Sequence, residues 1–228
     1  LEFRRVLFRS RNLIKSPLNY YIIPAVVAPL TVAISVIITV YNQSLRVNFV
    51  PLYSTIISYR PQSYVFGVSS IIAAVCICAA TYHTFNYLNS KNRVTLQKFT
   101  TKVIVYAVGT SGLATAVLLL AVAMYSLADG FWNHCLLELA MYTFMFIFYF
   151  LADYLFHLMG RRLSQKVMIY DIALIALYLI YFAFGYYVIH KRHNTLFSIV
   201  STLGYVLYIA AFTRLSVQKG QLLAFKRK

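Results

Sequence analysis

Residues 134–158 read HCLLELAMYTFMFIFYFLADYLFHL, and the fold follows from them. From Leu139 to Ala152 no residue is charged, and most are large and apolar. A bilayer core about 30 Å thick takes about 20 such residues as one helix. Irregular backbone finds no hydrogen-bond partners there, so the stretch predicts a membrane-spanning helix. Working outward, similar stretches lie at about 20–41, 64–88, 103–127, 167–189 and 195–213. The expectation is all-α: a polytopic membrane protein folded as a six-transmembrane-helix bundle, with residues 11–228 as one membrane domain.

Composition agrees. Of 228 residues 61% are hydrophobic, 17% aromatic and 11% charged, against roughly 25% charged in a soluble domain. The 21 Lys+Arg outnumber the 5 Asp+Glu but sit in short clusters between apolar runs, which excludes nucleic acid as a partner. Cys76, Cys78 and Cys135 are odd in number and lie in or beside apolar runs, so no disulfide framework is expected.

Local features modulate this picture. Leu1 to Ser10, LEFRRVLFRS, reads as the in-frame translation of a sequencing adapter and is set aside as adapter-derived. Without it, 18 basic and 4 acidic side chains leave a formal charge of +14. Pro24 and Pro29 should kink or loosen the first span. Gly109-Thr110-Ser111-Gly112 should weaken the third. In the second, Ser70, Ala74 and Cys78, with Gly67 beside them, form a small-residue ridge that invites close helix approach. The 42–63 segment is too polar and Pro-broken to span.

Orientation follows from Lys and Arg between the spans. Fourteen, from Arg11 to Lys228, fall on the side holding both termini, and only Arg46, Arg60, Lys191 and Arg192 fall on the other. Both termini are therefore expected in the cytosol and the 42–63 loop in the lumen or outside.

A charge in hydrocarbon costs at least about 2.5–3.5 kcal/mol unless paired or wet, so intramembrane ionisable residues are the first functional candidates. On the fourth span, His134 and Glu138 stand one turn apart at the lumenal end, and Asp153 and His157 repeat that spacing near the cytosolic end. At 1.5 Å per residue Glu138 and Asp153 are roughly 22 Å apart, which excludes a two-carboxylate site within this helix. Asp171 should lie level with Asp153 across the 159–166 hairpin, with Arg161 or Arg162 neutralising the pair as a structural charge cluster. At the lumenal end, His134 and Glu138 could meet Arg60, His190, Lys191, Arg192 and His193, a set suited to a phosphorylated lipid headgroup. G-x-S-x-G, Walker and H-E-x-x-H motifs are absent, so an accessory factor is expected more than a catalyst. His190 and His193 could hold a metal only with ligands from elsewhere, and neither metal nor cofactor is expected.

One further pattern carries a resemblance. The loop reads Val50-Pro51-Leu52-Tyr53-Ser54-Thr55-Ile56-Ile57-Ser58, then Pro61-Gln62-Ser63-Tyr64-Val65-Phe66, with His134 opening the fourth span and Leu203-Gly204-Tyr205 in the last. This layout resembles the six-span family that includes the FGF-receptor-activating protein, the DRAM autophagy modulators and the Sfk proteins. Within that family the loop is most similar to the post-GPI-attachment-to-proteins branch. Against the family pattern, Cys135 stands where an acid follows the histidine, the third span lacks a Glu, and Gly204 stands at a Glu; Glu138 is the candidate substitute for one of the three. The resemblance implies fatty-acid remodelling of GPI anchors in Golgi or endoplasmic reticulum membranes, with membrane lipids and GPI-anchored proteins as partners. The alternative it implies is a lysosomal autophagy regulator or a plasma-membrane phospholipid regulator without catalysis.

Overall fold

A computed structural model describes residues 19–41, 60–95, 99–125, 131–160, 165–191 and 194–226. Of these, 92–95, 131–132, 188–191, 194–198, 201 and 219–226 are described by backbone alone. Residues 1–18, most of the 42–63 loop, Arg161, Arg162, Arg192 and His193 lie outside the described residues. The described residues form six helices: α1 (Asn19–Tyr41), α2 (Gln62–Thr95), α3 (Phe99–Met124), α4 (Phe131–Leu158), α5 (Gln165–Lys191) and α6 (Asn194–Lys226). The chain is an all-α polytopic membrane protein. Helices α1 to α5 are each long and apolar enough to cross a membrane, and the expected sixth span, 195–213, is the first part of α6.

Helices α1, α2, α3 and α4 pack against one another in chain order. Helix α6 then packs between α1 and α5 and reaches α4. Helix α5 is outermost, with only 11% of its most apolar stretch buried against 50% for α2.

The two prolines do not interrupt α1, which runs through both as one helix. Its inner face is Tyr21, Pro24, Ala28, Thr31, Ser35 and Thr39, a spacing of three and four that keeps one side of a helix turned inward. Polar ties fix that side to α2. The Tyr21 hydroxyl donates to the Ala80 carbonyl at 2.9 Å and accepts from Thr84 at 2.8 Å. The Gln62 amide donates to Thr39 at 3.1 Å.

The Gly109–Gly112 stretch corrects a sequence expectation. Instead of weakening α3, it lies in a continuous helix and makes the tightest glycine crossing among the described residues. A β-carbon at Gly112 would stand 2.2 Å from Thr81 Oγ1 on α2 and 3.0 Å from Phe148 Cδ2 on α4. Low helix propensity is outweighed because the missing side chain admits both neighbours, and in lipid such packing is what draws helices together. The nearby hydroxyls do not compete with the helix, since Ser111 and Thr115 donate to the carbonyls of Val108 and Ser111 at 3.1 and 2.9 Å. On α2, Ser70 and Ala74 of the expected ridge are buried, but a β-carbon at Gly67 would meet nothing within 4 Å, so this glycine plays no part in a crossing.

Helix α6 also departs from expectation by continuing 13 residues beyond 213. Arg214, counted above with the cytosolic cations, is wholly buried, as are Leu215 and Gln218. The inward face of α6 therefore extends past the apolar run.

Gly112→Val should lower thermal stability in detergent by about 1–3 kcal/mol through overpacking, whereas Gly67→Ala should leave it within about 0.5 kcal/mol of the parent. Equal effects of the two would contradict the crossing.

Candidate functional site

Two polar clusters stand at opposite ends of α4. Near the C-terminal end of α4, Asp153 of α4, Asp171 of α5 and Arg214 of α6 meet in the interior, exposed by 4%, 6% and 0%. Arg214 grips Asp171 with two donors, Nε to Oδ1 at 2.5 Å and Nη2 to Oδ2 at 3.1 Å. Its Nη2 also donates to Asp153 Oδ2. The guanidinium carbon lies 5.2 Å from the centroid of the Tyr149 ring, within cation–π range. Tyr149 and Tyr170 donate to the Ala211 and Ala210 carbonyls of α6 at 2.8 and 2.7 Å.

Asp153 and Asp171 thus share one cation, Arg214; Arg161 and Arg162 lie outside the described residues. His157 is exposed near the end of α4 rather than enclosed with the carboxylates. Long-range tertiary contact, 61 and 43 residues away in sequence, supplies the neutralising charge. One guanidinium serves two carboxylates, so the three formal charges sum to one negative. One turn beyond Arg214, both amide atoms of the wholly buried Gln218 lack a partner among the described residues.

The cluster expected at the lumenal end is described only in part, at the N-terminal end of α4. His134 is 1% exposed, and its Nδ1 lies 2.7 Å from the Tyr125 carbonyl. A carbonyl can only accept, so Nδ1 carries the proton and His134 caps the C-terminal end of α3. That bond ties α3 to α4 and gives His134 a structural part. Glu138, half-buried one turn on, has its Oε1 3.5 Å from the Tyr181 hydroxyl of α5. The Tyr181 ring in turn rests on Gly204 of α6, where a β-carbon would come 2.9 Å from Tyr181 Cε2. Glu138, Tyr181 and Gly204 thus join three helices. Sequence reasoning missed Tyr181, and its only available sign was a tyrosine inside a span.

A second hydroxyl pair follows toward mid-membrane. Thr143 donates to the Leu139 carbonyl and accepts from the Tyr178 hydroxyl, each at 2.8 Å, in an exposed position. Tyr142, Phe146 and Phe182 surround Tyr178 with ring centroids 5.0–6.3 Å away. The α4–α5 seam is thus an aromatic wall carrying a carboxylate and hydroxyls.

Of the other expected lumenal residues, Arg60 is exposed with its guanidinium carbon 5.5 Å from the centroid of the Tyr64 ring. The side chains of His190, Lys191, Arg192 and His193 lie outside the described residues. The contacts of His134, Glu138 and Arg60 described here run to Tyr125, Tyr181 and Tyr64.

A family model described as the Frag1/DRAM/Sfk1/Cwh43P N-terminal domain matches residues 19–216. The chain belongs to this family. The Frag1/DRAM/Sfk1 match begins at the first residue of α1 and includes Arg214, so both clusters fall inside it. Comparison with curated proteins and with solved structures returned no match.

Tyr149→Phe, which removes the bond to α6, should cost about 0.6–1.7 kcal/mol, the range for interhelical hydrogen bonds in membranes. Gln218→Leu should be neutral or stabilising, because it removes a buried amide that has no partner among the described residues. Thermal unfolding of the two variants in one detergent checks both signs.

Proposed function

We propose that this membrane protein handles lipid from its lumenal side, as a factor in the fatty-acid remodelling of GPI anchors in Golgi or endoplasmic reticulum membranes. The supporting observation is the state of Glu138. Of the three acidic residues among the described ones, Asp153 and Asp171 are bound to Arg214, while Glu138 is half-buried in a membrane helix beside a tyrosine hydroxyl. An intramembrane carboxylate of this kind marks a place where a polar group of a ligand enters.

The chemistry suits a hydroxyl-rich, phosphorylated lipid. Glu138, Tyr181, Tyr178 and Thr143 offer acceptors and donors to lipid or sugar hydroxyls. Arg60, His190, Arg192 and His193 are the cations proposed for its phosphate. These groups bind and orient a headgroup, so the proposed part is that of an accessory factor presenting lipid. Membership of the Frag1/DRAM/Sfk1 family supports a membrane role, and the loop from Val50 to Phe66 is the basis for choosing the GPI branch.

Expression in cells lacking the GPI-remodelling factor tests the proposal. Surface GPI-anchored protein, measured by flow cytometry, should recover with the parent chain and stay near background with Glu138→Ala at equal protein level. His134→Ala should lower the amount of folded protein, in keeping with its cap on α3. A stable, correctly inserted parent chain that gives no rescue would sink the proposal and favour the lysosomal regulator.

A further inference from the structure

A groove of about 320 Å³ lies between α2 and α3, away from the α4–α5 seam. We propose that it holds one acyl chain of a phospholipid from the cytosolic leaflet.

The groove exists because of Gly109. A β-carbon there would touch Phe85 Cδ2 at 3.0 Å, so the missing side chain leaves the Phe85 ring as a floor. Tyr82 and Tyr106, exposed by 63% and 59%, stand at the sides, with Cys78 and Leu113 completing the lining. The Phe85 and Tyr106 rings are 5.5 Å apart, which makes one wall continuous.

Three considerations select the occupant. Both helices are membrane spans, so the surrounding phase that fills the groove is lipid. The walls present almost no polar surface: Thr110 donates back to the Tyr106 and Ala107 carbonyls at 3.1 and 3.2 Å, and Thr81 is 5% exposed with its hydroxyl turned to Gly112. An acyl chain brings no polar group to these apolar walls and so leaves none unpaired there. The volume is at the lower end of the roughly 300–1,000 Å³ range of small-molecule sites, enough for one chain rather than a whole two-chain lipid.

Depth gives the leaflet. Gly109 lies ten residues from the Phe99 end of α3, roughly 15 Å along the axis, and 15 residues from the Met124 end, roughly 22 Å. With the termini in the cytosol, as the Lys and Arg distribution directs, the groove opens into the cytosolic half of the bilayer. It is separate from the lumenal site proposed above and does not depend on it.

Photo-crosslinking tests this with the full chain in nanodiscs holding either phosphatidylcholine with a diazirine-bearing acyl chain or a diazirine sterol. The chain probe should label residues 78–85 and 106–113. Gly109→Leu and, from the opposite wall, Cys78→Phe should each cut that labelling by roughly tenfold, equivalent to 1.4 kcal/mol of binding. Labelling at Ile172 and Leu179, exposed on α5, should not change, and this internal reference distinguishes filling from misfolding. Labelling no stronger in the groove than on α5, or unchanged in both variants, would overturn the proposal. So would capture of the sterol alone, or cross-links to a second copy of the chain.

Discussion

The Arg214 guanidinium holds carboxylates from two other helices, and the arrangement of α4, α5 and α6 depends on it. Helix α5 needs such an anchor because its span is the least buried of the five. In lipid an apolar helix gains little by leaving hydrocarbon for another apolar helix, so an outer helix is held by directional contacts. Asp171 supplies one through two bonds to Arg214, and Tyr170 adds a hydrogen bond to the next turn of α6. Asp153 draws α4 to the same guanidinium. Replacing a buried ion network with apolar groups is often neutral, but removing one member leaves a buried charge uncompensated. The three residues are therefore tightly interdependent, whatever their net contribution to stability.

The two ends of α4 show how similar spacings acquire different chemistry. His134 and Glu138 repeat the separation of Asp153 and His157. At the C-terminal end the acid is enclosed and paired, and the histidine is exposed. At the N-terminal end the histidine is enclosed and spent on a backbone carbonyl, while the acid meets a hydroxyl and stays half-buried. The first arrangement locks helices together. The second leaves a carboxyl group beside the α4–α5 seam, where aromatic rings and the Thr143–Tyr178 pair line the approach from lipid.

The helices were legible in the sequence because the bilayer imposes a length that an apolar run must meet, and each expected span falls within or nearly matches a helix. The level placement of Asp153 and Asp171 was legible too, since a short hairpin sets two helix ends side by side. Arg214 was not. A cation at the end of an apolar run reads as an interfacial anchor, and only contact with residues far away in sequence shows that it turns inward and that α6 continues past it. Gly112 was misread for a related reason: propensity treats glycine as a local cost, whereas its value here is the room it gives Thr81 and Phe148. One-turn spacing grouped His134 with Glu138 as a headgroup-binding candidate, but the His134 ring reaches back across the connection to Tyr125.

The claim that Arg214 organises three helices is tested most directly by unfolding the parent chain, Arg214→Met and the triple variant Asp153→Leu, Asp171→Leu, Arg214→Met in one detergent. The single change should cost about 3–5 kcal/mol, because it strands two buried carboxylates, and the triple change should recover most of that loss. An Arg214→Met protein within about 1 kcal/mol of the parent would contradict the account.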